Sequence, residues 1–235
     1  MNKTEFDKFA DEYRSLHSQN IQLSGENPEY FAEYKIKDTA RLVEKYGLKR
    51  DLKILDFGSG IGNSVPFISK YFPAAKLTCV DVSERSLEIA EERFPNMADY
   101  QIFDGQKLSF PAGRFDVVFT ACVFHHIPMD EHIKLFDELH RVLAVGGMVI
   151  VFEHNPMNPL TVRAVNNCPF DENAVLVNAR TLANRLLHSG FADVAIRYRV
   201  FFPNTLKFLR FLETYMGWIP FGAQYYIVGR KYESS

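Results

Sequence analysis

The chain of 235 residues has little of what marks secreted or nucleic-acid-binding proteins. Its three cysteines, Cys79, Cys122 and Cys168, are odd in number and far apart, which argues against disulfides and for a reducing compartment. The formal net charge of −2 provides no positive field for DNA or RNA. No apolar run approaches about 18 residues, and the first residues are polar and charged, unlike a secretory signal. We therefore expect a cytoplasmic protein that binds no nucleic acid.

A glycine-rich turn follows the first strongly apolar strand. Residues 53–63 read KILDFGSGIGN, in which Gly58, Gly60 and Gly62 fall on every second position. Glycine lets the backbone turn tightly, and the next helix directs its unpaired N–H groups and positive dipole end at the turn. Such a turn suits a ligand with a carboxylate or a phosphate. The spacing differs from the Gly-x-Gly-x-x-Gly pattern of dinucleotide-binding proteins.

Two acidic residues stand at informative distances from this turn. Asp56 lies two residues before the first glycine, where a carboxylate is placed to accept from a cationic amine. Asp81 ends a second apolar strand about twenty residues past the last glycine, where an acid would hold a pair of ribose hydroxyls.

These features resemble the class I S-adenosylmethionine-dependent methyltransferases. The resemblance continues through Phe103-Asp104-Gly105, a fourth strand at 115–119 and a glycine turn at 143–147 before the fifth strand, and it covers about residues 50–155. It implies S-adenosylmethionine as cofactor and S-adenosylhomocysteine as product, with the glycine turn on the amino-acid end, Asp81 on the ribose and Asp104 beside the adenine. The expected cofactor-binding residues are Asp56, Gly58, Ser59, Gly60, Gly62, Asp81, Val82, Asp104, Gly105 and Ala121.

Strands alternate regularly with helices along the chain, which predicts an α/β fold with a doubly wound, mostly parallel sheet. The resemblance implies seven strands, one of them antiparallel. We expect an N-terminal helical lid over residues 1–47 and a cofactor-binding core over 48–152. A substrate insertion would follow over 153–177, and then a C-terminal helix and a final strand pair over 178–235, with an amphipathic cap at 203–221.

Two adjacent histidines, His125 and His126, follow the fourth predicted strand. Adjacent side chains diverge on most backbones and no cysteine or acid spacing completes a ligand set, so we expect no metal. A histidine here is placed to take a proton from an attacking hydroxyl, and we favour His125 over His126, which we expect to contact substrate. The alternative is that one ring packs and holds the loop.

The fifth predicted strand leads into a polar loop, Glu153-His154-Asn155, stiffened by Pro156 and Pro159. Polar side chains beside a cofactor pocket favour a role in catalysis for His154 and in substrate binding for Asn155 and, on the next helix, Arg163. The alternative is a network of Asx turns that closes the loop on itself.

Residues 1–47 are rich in aromatic and charged side chains with helical spacing, which predicts two helices folded over the cofactor turn. Tyr13, Tyr34 and Lys35 are the candidates for lining the site, and packing is the alternative for most of the aromatics. Segment 203–221 has two interpretations: a helix packed on the sheet edge, or a face for a lipid or membrane surface.

The predicted reaction is methyl transfer to a small molecule, by a monomer or a homodimer. The phrases at 30–35 and 153–156 resemble bacterial methyltransferases of surface-polysaccharide pathways, which implies a sugar or glycolipid hydroxyl as acceptor. A nicotinamide dehydrogenase is disfavoured by the glycine spacing and the absence of a Tyr-x-x-x-Lys pair. A non-catalytic protein that keeps the fold is the other alternative, against which Asp56, Asp81 and Asp104 are all present.

Overall fold

The computed structural model describes residues 25–49 and 51–233. Within them, seven strands form one sheet in the order β3-β2-β1-β4-β5-β7-β6. β7 runs antiparallel to both β5 and β6, and all other pairs are parallel. This confirms the predicted mostly parallel, seven-stranded sheet. The strands are β1 (Lys53–Phe57), β2 (Lys76–Asp81), β3 (Asp99–Ile102), β4 (Phe115–Ala121), β5 (Leu143–His154), β6 (Ala192–Arg199) and β7 (Gln224–Arg230).

Seven α-helices accompany the sheet in the described part of the chain. They are α1 (Pro28–Lys45), α2 (Val65–Tyr71), α3 (Glu84–Arg93), α4 (His132–Val142), α5 (Pro159–Asn166), α6 (Ala179–His188) and α7 (Glu213–Met216), with 3₁₀ turns at Phe124–His126, Pro169–Asp171 and Asn204–Leu212. The predicted N-caps are present: the Ser83 hydroxyl accepts from Ser86 N, and the Asn178 side chain accepts from Arg180 N. No described helix is both long and apolar enough to cross a membrane.

Two apolar clusters cover the two faces of the sheet. One joins alternate strand residues such as Val118 and Val149 to α4 and α6. The other joins their neighbours, such as Val117 and Ile150, to α1 and α2. The central strands are therefore buried on both faces, which explains their near-continuous apolar sequence.

The N-terminal lid is only partly within the described residues. Tyr13 and the first of the two predicted helices lie outside them. The second predicted helix is α1, which Asn27 caps by accepting from Tyr30 N. Closure of the N-terminal segment over the cofactor turn stays a prediction.

Two local predictions are wrong. Gly146 and Gly147 were expected to form a turn before the fifth strand, but β5 already begins at Leu143 and both glycines lie within it. The pairing of β4 with β5 is irregular between Phe115 and Val117, and this local irregularity accommodates the glycines.

The second wrong prediction is the packing of segment 203–221 as a helix on the sheet edge. Residues 204–212 form a 3₁₀ segment with non-helical backbone at Leu206, and none of them is buried. The residues on either side of this segment are nevertheless held by hydrogen bonds. Ala223 N donates to Val200 O at 2.9 Å, and Glu213 Oε1 accepts from Phe201 N and Phe202 N at 3.0 and 3.1 Å.

The turn after β1 packs tightly against the end of β4. Gly58 has a φ of +73°, and a Cβ at this position would lie 2.4 Å from Cγ2 of Val123. Gly58 N and Ser59 N both donate to Val80 O, at 2.8 and 3.1 Å, which ties the turn to β2. Gly58 is therefore required by packing as well as by backbone conformation.

We expect Gly58→Ala to destabilise the protein more than Gly105→Ala. Both glycines have a positive φ, +73° and +86°, and alanine at either costs roughly 1–2 kcal/mol of backbone strain. Only at Gly58 does the added Cβ meet another side chain, which adds roughly 1–3 kcal/mol. Urea unfolding followed by circular dichroism measures both variants, and equal losses of unfolding free energy would contradict the packing described.

Candidate active site

A cavity of about 370 Å³ opens at the carboxyl ends of the parallel strands, where ligands bind in sheets of this type. The glycine turn, the ends of β2, β4 and β5, and helices α1 and α5 contribute to its walls. The predicted site residues that line it are Lys35, Asp56, Gly58, Ser59, Gly60, Asp81, Ala121, His125, His126 and His154. The fold thus brings together residues that are up to 119 positions apart in the sequence, from Lys35 to His154.

The three glycines of the turn serve different purposes. Gly60 has a φ of +51°, and no atom lies within 4 Å of where its Cβ would be, so its surface is open to the cavity. At Gly62, by contrast, a Cβ would meet Ala90 at 3.1 Å and Phe94 at 3.3 Å. Gly62 lets the turn approach α3 and does not line the cavity, and its contact with the cofactor stays a prediction.

Two carboxyl groups flank the turn. The Ser64 hydroxyl donates to Asp56, and burial, together with the Asp81 charge, raises the pKa of Asp56 to about 7 despite that bond. Asp81 Oδ2 accepts from Gly60 N at 2.8 Å and Oδ1 from Ser83 N at 2.9 Å. Both acids line the cavity, as the sequence predicted.

Three other predicted cofactor residues lie elsewhere. Val82 is buried in the apolar core and does not line the cavity. Asp104 is exposed, and its Oδ1 accepts from Lys107 N and Gln106 N at 2.8 and 2.7 Å, which lowers its pKa. Neither Asp104 nor Gly105 lines the cavity, so the structure does not bring the motif Phe103-Asp104-Gly105 into it.

His125 forms a fully buried pair with Glu153. Its Nδ1 lies 2.6 Å from Glu153 Oε2, while Glu153 Oε1 accepts from Val123 N and Phe124 N at 3.0 and 2.7 Å. Burial lowers the pKa of His125, but the carboxylates of Glu153 and Asp171 outweigh it and raise the pKa to about 10. Burial raises the pKa of Glu153, but His125 outweighs it and lowers the pKa to about 2.

This pairing changes the predicted role of His125. An imidazole that is already protonated at neutral pH has no lone pair with which to accept another proton. This arrangement does not favour His125 as the base, and its catalytic role stays a prediction. Its ring instead fixes the loop after β4, which was the alternative interpretation.

Asp171 joins the two histidines. Its Oδ1 lies 3.5 Å from His125 Nε2 and 3.4 Å from His126 Nε2, and the two imidazole rings are 4.2 Å apart. Burial lowers the pKa of His126, and the His125 charge lowers it further. Sequence reasoning did not select Asp171, whose only signal was its place in a polar patch after Pro169.

A second group surrounds Cys122, which sequence reasoning also missed. Lys35 Nζ donates to Cys122 Sγ at 3.4 Å, and Cys122 adopts a φ of +60°, unusual for a residue other than glycine. Burial raises the pKa of the Cys122 thiol, but the His154 imidazole and the Lys35 ammonium outweigh it and lower the pKa to about 7. Conversely, burial lowers the pKa of His154, and Cys122 outweighs burial and raises it.

Within the described part of the chain, the predicted substrate residues Tyr34, Asn155 and Arg163 do not line the cavity. The Tyr34 hydroxyl donates to Gln224, and its ring packs on Phe152. The Asn155 amide donates to Pro220 O and Gly222 O, at 2.9 and 2.8 Å, and its Oδ1 accepts from Met157 N. The Asx-turn alternative is therefore correct for Asn155, and its predicted substrate contact is wrong. Arg163 is exposed on α5, outside the cavity lining.

We expect Cys122 to be alkylated by iodoacetamide with a midpoint near pH 7, because the thiolate is the reactive form and the pKa of this thiol is about 7. Below that pH the thiol is protonated and its alkylation slows. Lys35→Met should move the midpoint to higher pH, because it removes a cation that favours the thiolate. Peptide mass spectrometry measures the rate, with Cys79 as the internal control, because burial raises the pKa of its thiol well above the ordinary value. A midpoint near 9 for Cys122 would contradict this electrostatic environment.

Comparisons with known proteins agree with the geometry. Residues 54–147 match the family model of a methyltransferase domain. Demethylmenaquinone methyltransferases from Staphylococcus aureus strains JH9 and Newman are 29% identical over 116 residues, which cover 48% of this chain and 47% of theirs. The chain thus spans about half the length of the curated relatives it matches.

Solved structures share the fold over more of the chain. A methyltransferase from Thermotoga maritima, described as a possible histamine N-methyltransferase, aligns with a TM-score of 0.66 at 19% identity, over 98% of this chain and 100% of that one. An S-adenosylmethionine-dependent methyltransferase from Archaeoglobus fulgidus aligns with a TM-score of 0.60 at 18% identity, over 83% and 94%. At these identities the likeness concerns the fold alone. Residues 54–147 therefore resemble a methyltransferase domain, and the chain shares the fold of these two solved methyltransferase structures.

Proposed function

We propose that the protein transfers a methyl group from S-adenosylmethionine to a hydroxyl of a sugar-containing acceptor, with a glycolipid as the best candidate. One observation carries the proposal: a single cavity joins the acid-flanked glycine turn to a cluster of polar side chains. The turn offers a place for the cofactor, and the polar cluster offers a place for the group to be methylated.

The residues at the turn fit the cofactor. Gly60 leaves open space where any other side chain would intrude. Ser59 Oγ is buried, and among the described residues its only partner is the weakly bonding Cys79 thiol. Asp81 accepts from Gly60 N and Ser83 N, which orients its carboxylate at the cavity wall, where it suits the ribose hydroxyls. When bound, S-adenosylmethionine supplies an electrophilic methyl group on a sulfonium centre.

Asp56 suits the amino end of the cofactor. Its carboxyl group is buried, and burial raises its pKa to about 7 because the charged form lacks solvation. A cationic amine next to it would restore the carboxylate and gain a charge-assisted hydrogen bond. Asp56 therefore favours a ligand with a positive group at this end of the cavity.

The acceptor side of the cavity combines polar and apolar walls. Lys35, His126 and His154 provide polar groups, while Leu160 and Pro203 provide apolar surface. Methyl transfer is an in-line displacement, so much of the catalysis consists of holding the acceptor oxygen in position. We assign His154 to hydrogen-bond this oxygen, because it lines the cavity and Glu153 does not pair with it as it pairs with His125.

The surface beside the cavity supports an acceptor with a lipid part. Phe208, Phe211, Trp218 and Phe221 are 68%, 66%, 75% and 61% exposed, and they follow Pro203, which lines the cavity. Exposed aromatic residues in such a group mark interaction sites and suit the interface of a membrane. We propose that this aromatic surface, residues 203–221, contacts lipid while the polar head of the acceptor enters the cavity.

Two other functions have less support. The demethylmenaquinone methyltransferases that resemble this chain match it over less than half of either chain, so their acceptor does not carry over. A non-catalytic protein would be expected to fill the cavity or to lose the acids at the turn, and Asp56 and Asp81 both line an open cavity.

Calorimetric titration with S-adenosylmethionine, S-adenosylhomocysteine and NADH tests the cofactor. Transfer of a labelled methyl group to free sugars and to glycolipids in vesicles then tests the acceptor. Binding of the first two ligands with transfer to a glycolipid supports the proposal. Binding of NADH alone, or transfer only to amines, would contradict it.

Asp81→Ala should weaken S-adenosylmethionine binding about 5- to 150-fold, since losing hydrogen bonds to a charged group costs roughly 1–3 kcal/mol. Isothermal titration calorimetry measures the Kd. The matched control is Asp99→Ala. Asp99 is exposed at the amino end of β3, whereas Asp81 lies at the carboxyl end of β2. Unchanged affinity for Asp81→Ala would show that this carboxylate does not hold the ribose.

Replacing both Phe208 and Phe211 by serine should reduce binding to vesicles of mixed phosphatidylcholine and phosphatidylglycerol by about tenfold or more. The reason is the apolar area that the membrane would no longer bury, worth roughly 1–2 kcal/mol per side chain. Cosedimentation measures the bound fraction, and Val145→Ser is the control, since Val145 is exposed near the start of β5. Equal binding by the control and the double variant would contradict a lipid-contacting surface.

A further inference from the structure

We propose that His125 Nε2, His126 Nε2 and Asp171 Oδ1 bind a divalent transition-metal ion of the zinc type at the wall of the cavity. These three side chains offer ligand atoms that all lie within 4.8 Å of one another. All three also line the cavity, so a bound ion would be reachable from it. The presence of the ion is independent of the proposed methyl transfer.

The distances from Asp171 to the two histidines are close to the spacing of ligand atoms around a zinc ion. Asp171 Oδ1 lies 3.5 Å from His125 Nε2 and 3.4 Å from His126 Nε2. Charge-assisted hydrogen bonds are shorter, about 2.7–2.9 Å, and the neighbouring His125–Glu153 contact is 2.6 Å. Ligand atoms bound to zinc at about 2.0–2.1 Å in a tetrahedron are about 3.3–3.4 Å apart.

The local backbone removes the usual objection to adjacent histidines as ligands. The 3₁₀ turn Phe124–His126, closed by His126 N donating to Val123 O, holds the two imidazole rings 4.2 Å apart. The loop that carries Asp171 is fixed to the same turn, because Val175 N donates to His125 O at 2.8 Å. Asp171 lies 45 residues after His126, so the sequence spacing does not predict it as the third ligand.

The surroundings of His125 are those of a metal ligand. A ligating histidine commonly donates its other ring N–H to a carboxylate, which fixes the ring and its tautomer. Here Glu153 Oε2 lies 2.6 Å from His125 Nδ1, and two backbone N–H groups hold the second Glu153 oxygen. Nε2 of His125 is thereby directed towards Asp171, and binding of the ion would displace the proton from this nitrogen.

The donor set selects the kind of ion. Two imidazole nitrogens and one carboxylate oxygen suit zinc and similar transition metals, whereas magnesium and calcium prefer oxygen ligands alone. Three protein ligands leave a coordination position for water or for an oxygen of the acceptor, as in catalytic zinc sites. The acceptor part of this statement rests on the proposed function; binding of the ion does not.

The test is titration of tag-free, chelator-treated protein with Zn²⁺, using calorimetry and metal analysis after dialysis. We expect one ion per chain and at least about tenfold weaker binding for Asp171→Asn and for His126→Gln. Substitution with Co²⁺ should give the visible absorption of a tetrahedral site. His188→Gln is the control, because His188 is an exposed histidine on α6.

Failure of wild-type protein to bind Zn²⁺ stoichiometrically would overturn the inference and leave an ion-pair cluster without a metal. Unchanged binding in both ligand variants would do the same. Near-ultraviolet circular dichroism shows that each variant is folded, and a variant that does not fold is replaced by His126→Asn. Since neither readout uses methyl transfer, a negative result here is distinct from failure of the proposed function.

Discussion

The buried contact between His125 and Glu153 is the interaction on which the cavity depends. It joins the loop after β4 to the end of β5, and Glu153 also holds Val123 N and Phe124 N. Removing one partner of a buried ion pair leaves an uncompensated charge and is strongly destabilising. Val123 in turn packs against Gly58, so the same contact sets the position of the glycine turn. The Glu153 carboxylate therefore helps to position both the loop after β4 and the glycine turn.

The fold was largely predictable because its signals are local. The apolar strand 53–57, the cap at Ser83 and the buried run of β4 are each decided by neighbouring residues and by burial. Segment 203–221 was not predictable in this way, since an amphipathic pattern does not say whether its apolar stripe meets the sheet. Asp56 and Asp81 both line the cavity because the carboxyl ends of parallel strands meet at one side of a sheet, and their contacts with a cofactor stay predictions.

The site was less predictable because its partners are distant in the sequence. His125 had the residue type of a base, but its behaviour depends on Glu153 and Asp171, 28 and 46 residues away. Asn155 had the position of a substrate contact, yet its amide is satisfied by carbonyl groups of residues 220 and 222. Charge pairing and hydrogen-bond saturation are properties of the folded arrangement, so residue type alone could not assign these roles.

The two ends of segment 201–222 are fixed to the rest of the fold, and this has a consequence for how the residues between them can change. Backbone bonds at Val200 and Ala223, the Glu213 carboxylate, and the amides of Asn155 and Asn158 fix its two ends. Between those ends the exposed aromatic residues, which form no part of the sheet, are Phe208, Phe211, Tyr215, Trp218 and Phe221. Their identity can therefore vary with little effect on the core. Related chains are expected to diverge fastest here, and a laboratory exchange of this segment would change the exposed surface and leave the rest of the fold unchanged.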